Sequence, residues 1–288
     1  MSKNKQLREM LARREFVVAP GVYSALTAKL VHAAGFPCMY MSGYCTAAST
    51  LGLPDLGLLT MTEMLGNVRA LSDAAPIPLI ADGDTGYGNA LNVMRAVREY
   101  ERAGAAAMHI EDQMWPKRCG HMANKHVIPK DEMVGKIRAA VDGRASEDFV
   151  IIARTDAIAV EGLPAALDRL SAYAGAGADV VFADGQQTME HISEVPRRFP
   201  STPCMINVGP LTPPLPVSEL RELGYAIAIY PSVCIGPAVL ATQDALEKFK
   251  ETGTPLFAEP EKLMQLWKFF NEFLDVPAYN ALEQKYKY

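Results

Sequence analysis

Residues 109–121 concentrate reactive side chains. His109, Glu111, Asp112, Lys117, Arg118, Cys119 and His121 fall within thirteen positions. The stretch leaves an apolar run, 105–108, and enters a segment punctuated by Pro116 and Gly120. A strand that ends in charges and passes into such a loop is how α/β barrels place reacting groups at their mouths. Cys119 is flanked by Lys117, Arg118 and His121, and cationic neighbours favour the thiolate. That makes Cys119 the candidate proton donor or nucleophile; the alternative is a solvated loop without chemistry.

Other apolar runs end in polar residues of complementary kinds. Tyr40 and Ser42, Asp82 and Asp84, Arg154, Asp184 and Asn207 all stand at such ends. Asp82, Asp84 and Glu111 are hard oxygen donors with no soft partner nearby. They suit magnesium, with manganese as the alternative, bound partly through water. Asp82 and Asp84 lie two apart, so on a regular strand they would point the same way. Without a cation, three carboxylates in one mouth would repel and be partly protonated. Arg154 fits a substrate carboxylate as a planar fork. Backbone N–H groups around Ser42 and Gly43 are candidates to hold a second one. The glycine-rich segment 83–88 lacks the lysine of a phosphate loop and the spacing of a dinucleotide fingerprint. His32 and His191 fall inside helical patterns and read as structural.

These residues need a scaffold that brings strand ends together. The chain has 288 residues, 49% of them hydrophobic, enough for one α/β barrel or two small domains. Short apolar runs at 16–19, 38–41, 78–81, 105–108, 149–153, 180–182, 204–207 and 226–230 alternate with helical patterns. Runs without polar alternation imply burial on both faces, as in a parallel sheet. Eight βα units predict a closed (β/α)8 TIM-type barrel, with a doubly wound open sheet as the alternative. Gly35, Gly104, Gly177 and Gly224 each stand just before a strand and read as helix C-cap glycines of a repeated unit. After Ser42-Gly43-Tyr44 a loop holding Gly52, Pro54 and Gly57 leads to a helix from about Thr62 to Leu71. Residues 1–288 read as a single barrel domain, with 254–288 a C-terminal helical extension. Its aromatics, Trp267, Phe269, Phe270 and Phe273, would pack on a partner subunit or on the chain's own barrel.

The segments 82–88, 109–113, 117–121 (Lys-Arg-Cys-Gly-His) and 153–157 together resemble the isocitrate lyase/phosphoenolpyruvate mutase superfamily. The similarity runs from about Pro20 to Tyr230, and the cysteine motif resembles the carbon–carbon lyase branch. The resemblance implies a magnesium-dependent barrel, a loop carrying the catalytic acid Cys119, and a homotetramer that exchanges C-terminal helices. It implies retro-aldol cleavage of a substituted 2-hydroxy di- or tricarboxylate to an α-keto acid and a carboxylate. Tyr40 would take the hydroxyl proton, Arg154 would hold a carboxylate, and His121 would tune the thiol. Ser42, Gly43, Tyr44, Gly120, Asp184 and Asn207 would line the substrate, and Asp82, Asp84 and Glu111 would face the metal. The chain departs from the tricarboxylate-cleaving pattern at Gly236, where relatives carry arginine, and at Asp184, where they carry glutamate. It departs again after Asn207, where a glutamate is missing. Losing a cation disfavours a tricarboxylate, since an unpaired buried carboxylate costs several kcal/mol. Tyr44, where many relatives have a small residue, would narrow the pocket. A substituted malate is the expected substrate. A phosphonomutase, an oxaloacetate hydrolase or decarboxylase, and a non-catalytic carboxylate-binding barrel are the competing readings.

Composition narrows the partners. The net charge of −5 without a basic cluster argues against nucleic acid. No apolar run reaches the roughly 20 residues of a membrane span, and no signal-peptide core follows the start. Five scattered cysteines read as reduced thiols of a cytoplasmic protein.

Overall fold

The computed structural model describes all residues except His121, 256–258 and Tyr288. His121, named above as a tuning residue, therefore lies outside the described residues. Contacts divide the chain into two units, Met1–Ile235 and Gly236–Tyr288.

In the first unit eight parallel strands close on themselves. They are β1 (Val17–Val22), β2 (Met39–Met41), β3 (Leu79–Asp82), β4 (Ala107–Glu111), β5 (Val150–Thr155), β6 (Val180–Ala183), β7 (Cys204–Asn207) and β8 (Ile227–Tyr230). Each pairs with its neighbours in sequence, and β8 pairs back to β1 with Val17 opposite Ile227. Every residue of β3, β4 and β5 is buried, which is why these runs carry no polar alternation. Alternate strand residues fill the barrel: Ala19, Tyr40, Ile80, Ala107, Ile152, Phe182 and Met205 belong to one cluster. Leu7, Met10 and Leu11 of the N-terminal helix Lys3–Ala12 join that cluster. Burying each such side chain contributes about 1.5–3 kcal/mol. The opposite strand faces pack on the surrounding helices, with Val68, Val97, Ile137 and Leu170 in that layer.

Local signals set the helix ends. Ser24 and Thr60 form capping boxes with Thr27 and Glu63, and Asn89 caps the helix Ala90–Arg102. The four glycines before strands, at 35, 104, 177 and 224, all have positive φ between 84° and 104°. That left-handed turn stops a helix and lets the chain enter the next strand. The segment after Ser42 differs from the expected loop. It forms a short helix, Gly43–Thr46, continuing as a π-helical turn, Ala47–Leu51. Ser42 starts it by accepting from the Cys45 N–H, and Gly52 ends it at φ 64°. So short an element between two glycines shows no hydrophobic period to read.

The second unit holds most of the helix Ile235–Thr252 and the helices Pro260–Phe273 and Val276–Lys285. Within it Phe269 stacks on Phe273 with ring centroids 5.1 Å apart, and Trp267 is exposed.

Asp179 ties the base of the barrel together. It accepts from Arg8 at 2.6 Å, Arg144 at 2.9 Å and the Ile151 N–H at 2.8 Å. Asp179→Ala leaves two guanidinium groups and a strand N–H without this partner. The expected result is a loss of about 2 kcal/mol, read as a lower thermal midpoint, with kcat unchanged.

Candidate active site

Strand register assembles the mouth. Asp82 of β3 lies beside His109 of β4, and Glu111 of β4 beside Arg154 of β5. Tyr40 of β2 meets His109 across the barrel, its Oη 2.9 Å from Nε2, and the Phe182 ring packs T-shaped with the imidazole, centroids 5.9 Å apart. Asp82 accepts from the Gly43 N–H and the Asp84 N–H, both at 3.0 Å. The Gly43 N–H is thus committed to an acid of the protein and does not present itself to a ligand.

Asp84 departs from the expectation of a regular strand. The strand ends at Asp82, and Asp84 has φ 48°, in the left-handed region that non-glycine residues seldom occupy. The preceding residue must be glycine: a Cβ on Gly83 would lie 2.2 Å from Met108 Cε and 2.8 Å from the His109 carbonyl oxygen. The two acids are therefore brought together by a turn. Asp84 Oδ1 lies 2.8 Å from Lys117 Nζ, which also pairs with Asp55 at 2.6 Å.

Arg154 is the hub of the other half. Its Nε and Nη2 donate to the two oxygens of Asp156 at 2.8 and 3.1 Å, and Nη2 also donates to Asp184 at 2.6 Å. Glu111 Oε2 lies 3.2 Å from Nη1. Asn207 donates to the other oxygen of Asp184 at 3.1 Å. The cysteine loop crosses above this cluster. Its Cys119 N–H donates to the Asp55 carbonyl at 3.1 Å, and Gln113 grips Arg118 through one hydrogen bond in each direction.

A cavity of about 250 Å³ opens between the two halves. Tyr40, Ser42, Tyr44, Asp82, Cys119, Gly120, Arg154, Asp184 and Asn207 all line it. Met122, Pro210 and Pro231 give it an apolar wall. Sequence reasoning missed Asp55, which lines the cavity, and Asp156 and Lys125 behind it. Only its place after Pro54 in a turn-rich segment marked Asp55, and no local signal marks Lys125.

Charge in the mouth is unbalanced. Six buried acids, Asp55, Asp82, Asp84, Glu111, Asp156 and Asp184, face Lys117, Lys125 and Arg154. Burial pushes Asp84 up to about 6, with Asp82 and Asp55 adding to the effect against the pull of Lys117. Burial also holds Glu111 well above the ordinary carboxylate range. Asp82 resists the same burial, because His109, Lys117 and Arg154 hold it down at about 2. Glu111 Oε1 is buried without a hydrogen-bond partner. Hard oxygen donors in surplus, one of them unpartnered, fit a divalent cation. Among the described residues no three His, Cys, Asp or Glu side chains are close enough to grip an ion by themselves. An ion here would take one or two of Asp82, Asp84 and Glu111 and keep water in its shell.

A closed (β/α)8 barrel with acids, a guanidinium hub and a cysteine loop at its C-terminal mouth is the form of an enzyme acting on small anions. The family model described as phosphoenolpyruvate phosphomutase matches residues 7–250, and the chain belongs to this family. It is 44% identical to a 2,3-dimethylmalate lyase of Eubacterium barkeri over 287 residues, covering 99% of each chain. It is 40% identical to a 2-methylisocitrate lyase of Salmonella typhimurium, covering 99% of this chain and 95% of the relative. The crystal structure of a 2,3-dimethylmalate lyase, a PEP mutase/isocitrate lyase superfamily member, superposes with a TM-score of 0.90 at 39% identity. That match covers 97% of this chain and 96% of the other. The expected barrel, superfamily and lyase class agree with these relatives. No described helix is long and apolar enough to cross a membrane.

Two measurements check the geometry. Burial lowers His109 to about 4. A base depressed on folding leaves stability intact above its unfolded pKa of about 6.5 and erodes it as pH falls through 4. Its ring resonances are expected to stay those of neutral imidazole at pH 6, and stability to decline between pH 6.5 and 4 less steeply in His109→Gln. Gly120 lies against the hub: a Cβ there would fall 1.8 Å from Asp184 Oδ2 and 2.7 Å from Arg154 Nη2. Gly120→Ala is expected to cut turnover by about 100-fold while the thermal midpoint moves little.

Proposed function

We propose that the protein is a magnesium-dependent carbon–carbon lyase that cleaves a substituted malate, a 2-hydroxy dicarboxylate bearing alkyl groups. One observation carries this reading. The cavity holds Cys119 at one side, Arg154 and Lys117 as its lining cations, and an apolar wall of Met122, Pro210 and Pro231. Arg154 and Lys117, each already paired with acids of the protein, together with a bound cation would meet a dicarboxylate, and the apolar wall matches alkyl substituents. The names of the dimethylmalate and methylisocitrate lyase relatives support the lyase class.

A divalent ion held by Asp82, Asp84 or Glu111 would polarise the 2-hydroxy carboxylate as a Lewis acid. Arg154 would bind a carboxylate through its Nη1 edge, where the longest of its acid contacts, Glu111 at 3.2 Å, would give way, since Asp156 and Asp184 hold Nε and Nη2 more closely. Burial first, and then the charge of Asp82, hold the Tyr40 phenol well above its ordinary pKa. Tyr40 therefore keeps its proton at rest. It takes the substrate hydroxyl proton only as its own passes to His109 Nε2, 2.9 Å away. Asp82 Oδ1, 3.6 Å from Nε2, stabilises the imidazolium that results. The hydroxyl carbon becomes the carbonyl of an α-keto acid as the C–C bond breaks, and its electron pair passes to the departing carboxylate's α-carbon. The Cys119 thiol protonates that carbon and becomes a thiolate. The proton on His109 leaves through Tyr40 to solvent, and the Cys119 thiolate takes one back from solvent, which restores both groups. The assembly belongs to the same proposal: a homotetramer with exchanged C-terminal helices, to which the exposed Trp267 suits a buried contact.

The test is release of an α-keto acid from dimethylmalate, other 2-alkylmalates, methylisocitrate, oxaloacetate and phosphonopyruvate, with and without EDTA. An alkylmalate is expected to be turned over, EDTA to abolish the reaction, and Cys119→Ser to lose about 10²–10⁴ in kcat while still binding substrate. Silence on every malate, with turnover of oxaloacetate or the phosphonate, would sink the lyase reading.

A further inference from the structure

Lys125 is fully committed at the back of the active site, and the chemistry above does not use it. Its side chain is 1% exposed, on the segment that follows the cysteine motif. Nζ donates to the Gly120 carbonyl at 2.5 Å and to Asp156 Oδ1 at 2.8 Å. The same Asp156 holds Arg154 through two hydrogen bonds. Gly120 follows Cys119 directly and rests on the Arg154–Asp184 pair so closely that no side chain fits there.

We infer that Lys125 is a positioning residue that fixes Cys119 relative to the substrate-binding Arg154. Besides the ion pairs of Lys117 with Asp55 and Asp84, three contacts hold the described residues of the cysteine segment: Gln113 on Arg118, the Asp55 carbonyl on the Cys119 N–H, and Lys125 on the Gly120 carbonyl. The first ties it to the start of its own loop and the second to the loop that holds Asp55. Lys125 alone among the three also touches the carboxylate that orients Arg154. One ammonium thus sets the proton donor and the carboxylate clamp from a shared point. Asp156 is immobile enough to serve as that point, because its N–H donates to buried Asp112 at 3.0 Å. Asp112 in turn accepts from Thr155 at 2.7 Å and from Tyr173 at 2.8 Å. The far end of the segment is pinned independently, by Arg169 donating to the Ile128 carbonyl at 2.9 Å. Removing the ammonium therefore loosens the part of the loop that carries Cys119 and leaves its anchors in place.

The test compares wild type with Lys125→Met, Lys125→Gln and Lys125→Arg by hydrogen exchange followed by mass spectrometry, and by steady-state kinetics. In Lys125→Met, exchange across 117–124 should quicken at least about tenfold, with the segments holding Asp112 and Ile128 unchanged. Its kcat should fall about 100-fold with KM within about threefold, the signature of a misplaced reacting group. Lys125→Arg should recover both. Lys125→Gln keeps a donor for the Gly120 carbonyl without the charge on Asp156, and it serves if the methionine variant does not fold; its exchange and kcat should lie between. Wild-type exchange in both neutral variants would overturn the inference, as would a raised KM with kcat unchanged. The kinetic arm rests on the lyase reading, but exchange is measured without substrate. Failure of every malate to react would therefore count against that reading, and the exchange comparison would still decide the role of Lys125.

Discussion

A surplus of buried negative charge governs the mouth of this barrel. Six acids converge where three cationic side chains can answer them. The pairings that result set nearly everything else. Arg154 is held flat by Asp156 and Asp184, and Lys117 is drawn inward by Asp55 and Asp84. Each buried ion pair costs desolvation that attraction only partly offsets, so the cluster is a poor device for stability. Its value is orientation. Groups fixed this way need no rearrangement when a charged substrate arrives.

The barrel makes such a cluster affordable by dividing labour. Alternate residues of the strands fill the interior, the N-terminal helix adds Leu7, Met10 and Leu11, and helices cover the outside. Strained backbone recurs at the mouth. Asp84 and Tyr87 adopt left-handed φ there, on either side of Gly86. The apolar layers carry the stability, and the strand ends are left to position charge.

The strands were legible in sequence because burial on both faces leaves an unbroken apolar run, and Val150–Thr155 is the clearest case. The acids at strand ends were legible because polar residues directly after such runs have few other places to go. Other features carried no local mark. Asp82 and Asp84 looked like neighbours on one strand, and only the close approach of Gly83 to Met108 shows why the chain turns instead. The helix Gly43–Thr46 was too short for a period. Lys125 and Asp156 are 31 residues apart, and nothing near either announces the other. Composition and periodicity report on burial; they are silent about which buried charges meet.

Tyr100 lies on the helix Ala90–Arg102, outside the barrel wall, yet its hydroxyl donates to the Asp82 carbonyl at 3.0 Å and contacts the Tyr87 hydroxyl at 2.5 Å. The outer ring therefore has a direct handle on the strand end that bears the lowest-pKa acid of the β3 pair. Variation on that helix face can reset the mouth without altering a single lining residue. In a scaffold reused for different bonds, the shell is a second set of tuning positions, open to gradual change while the reactive groups stay where they are.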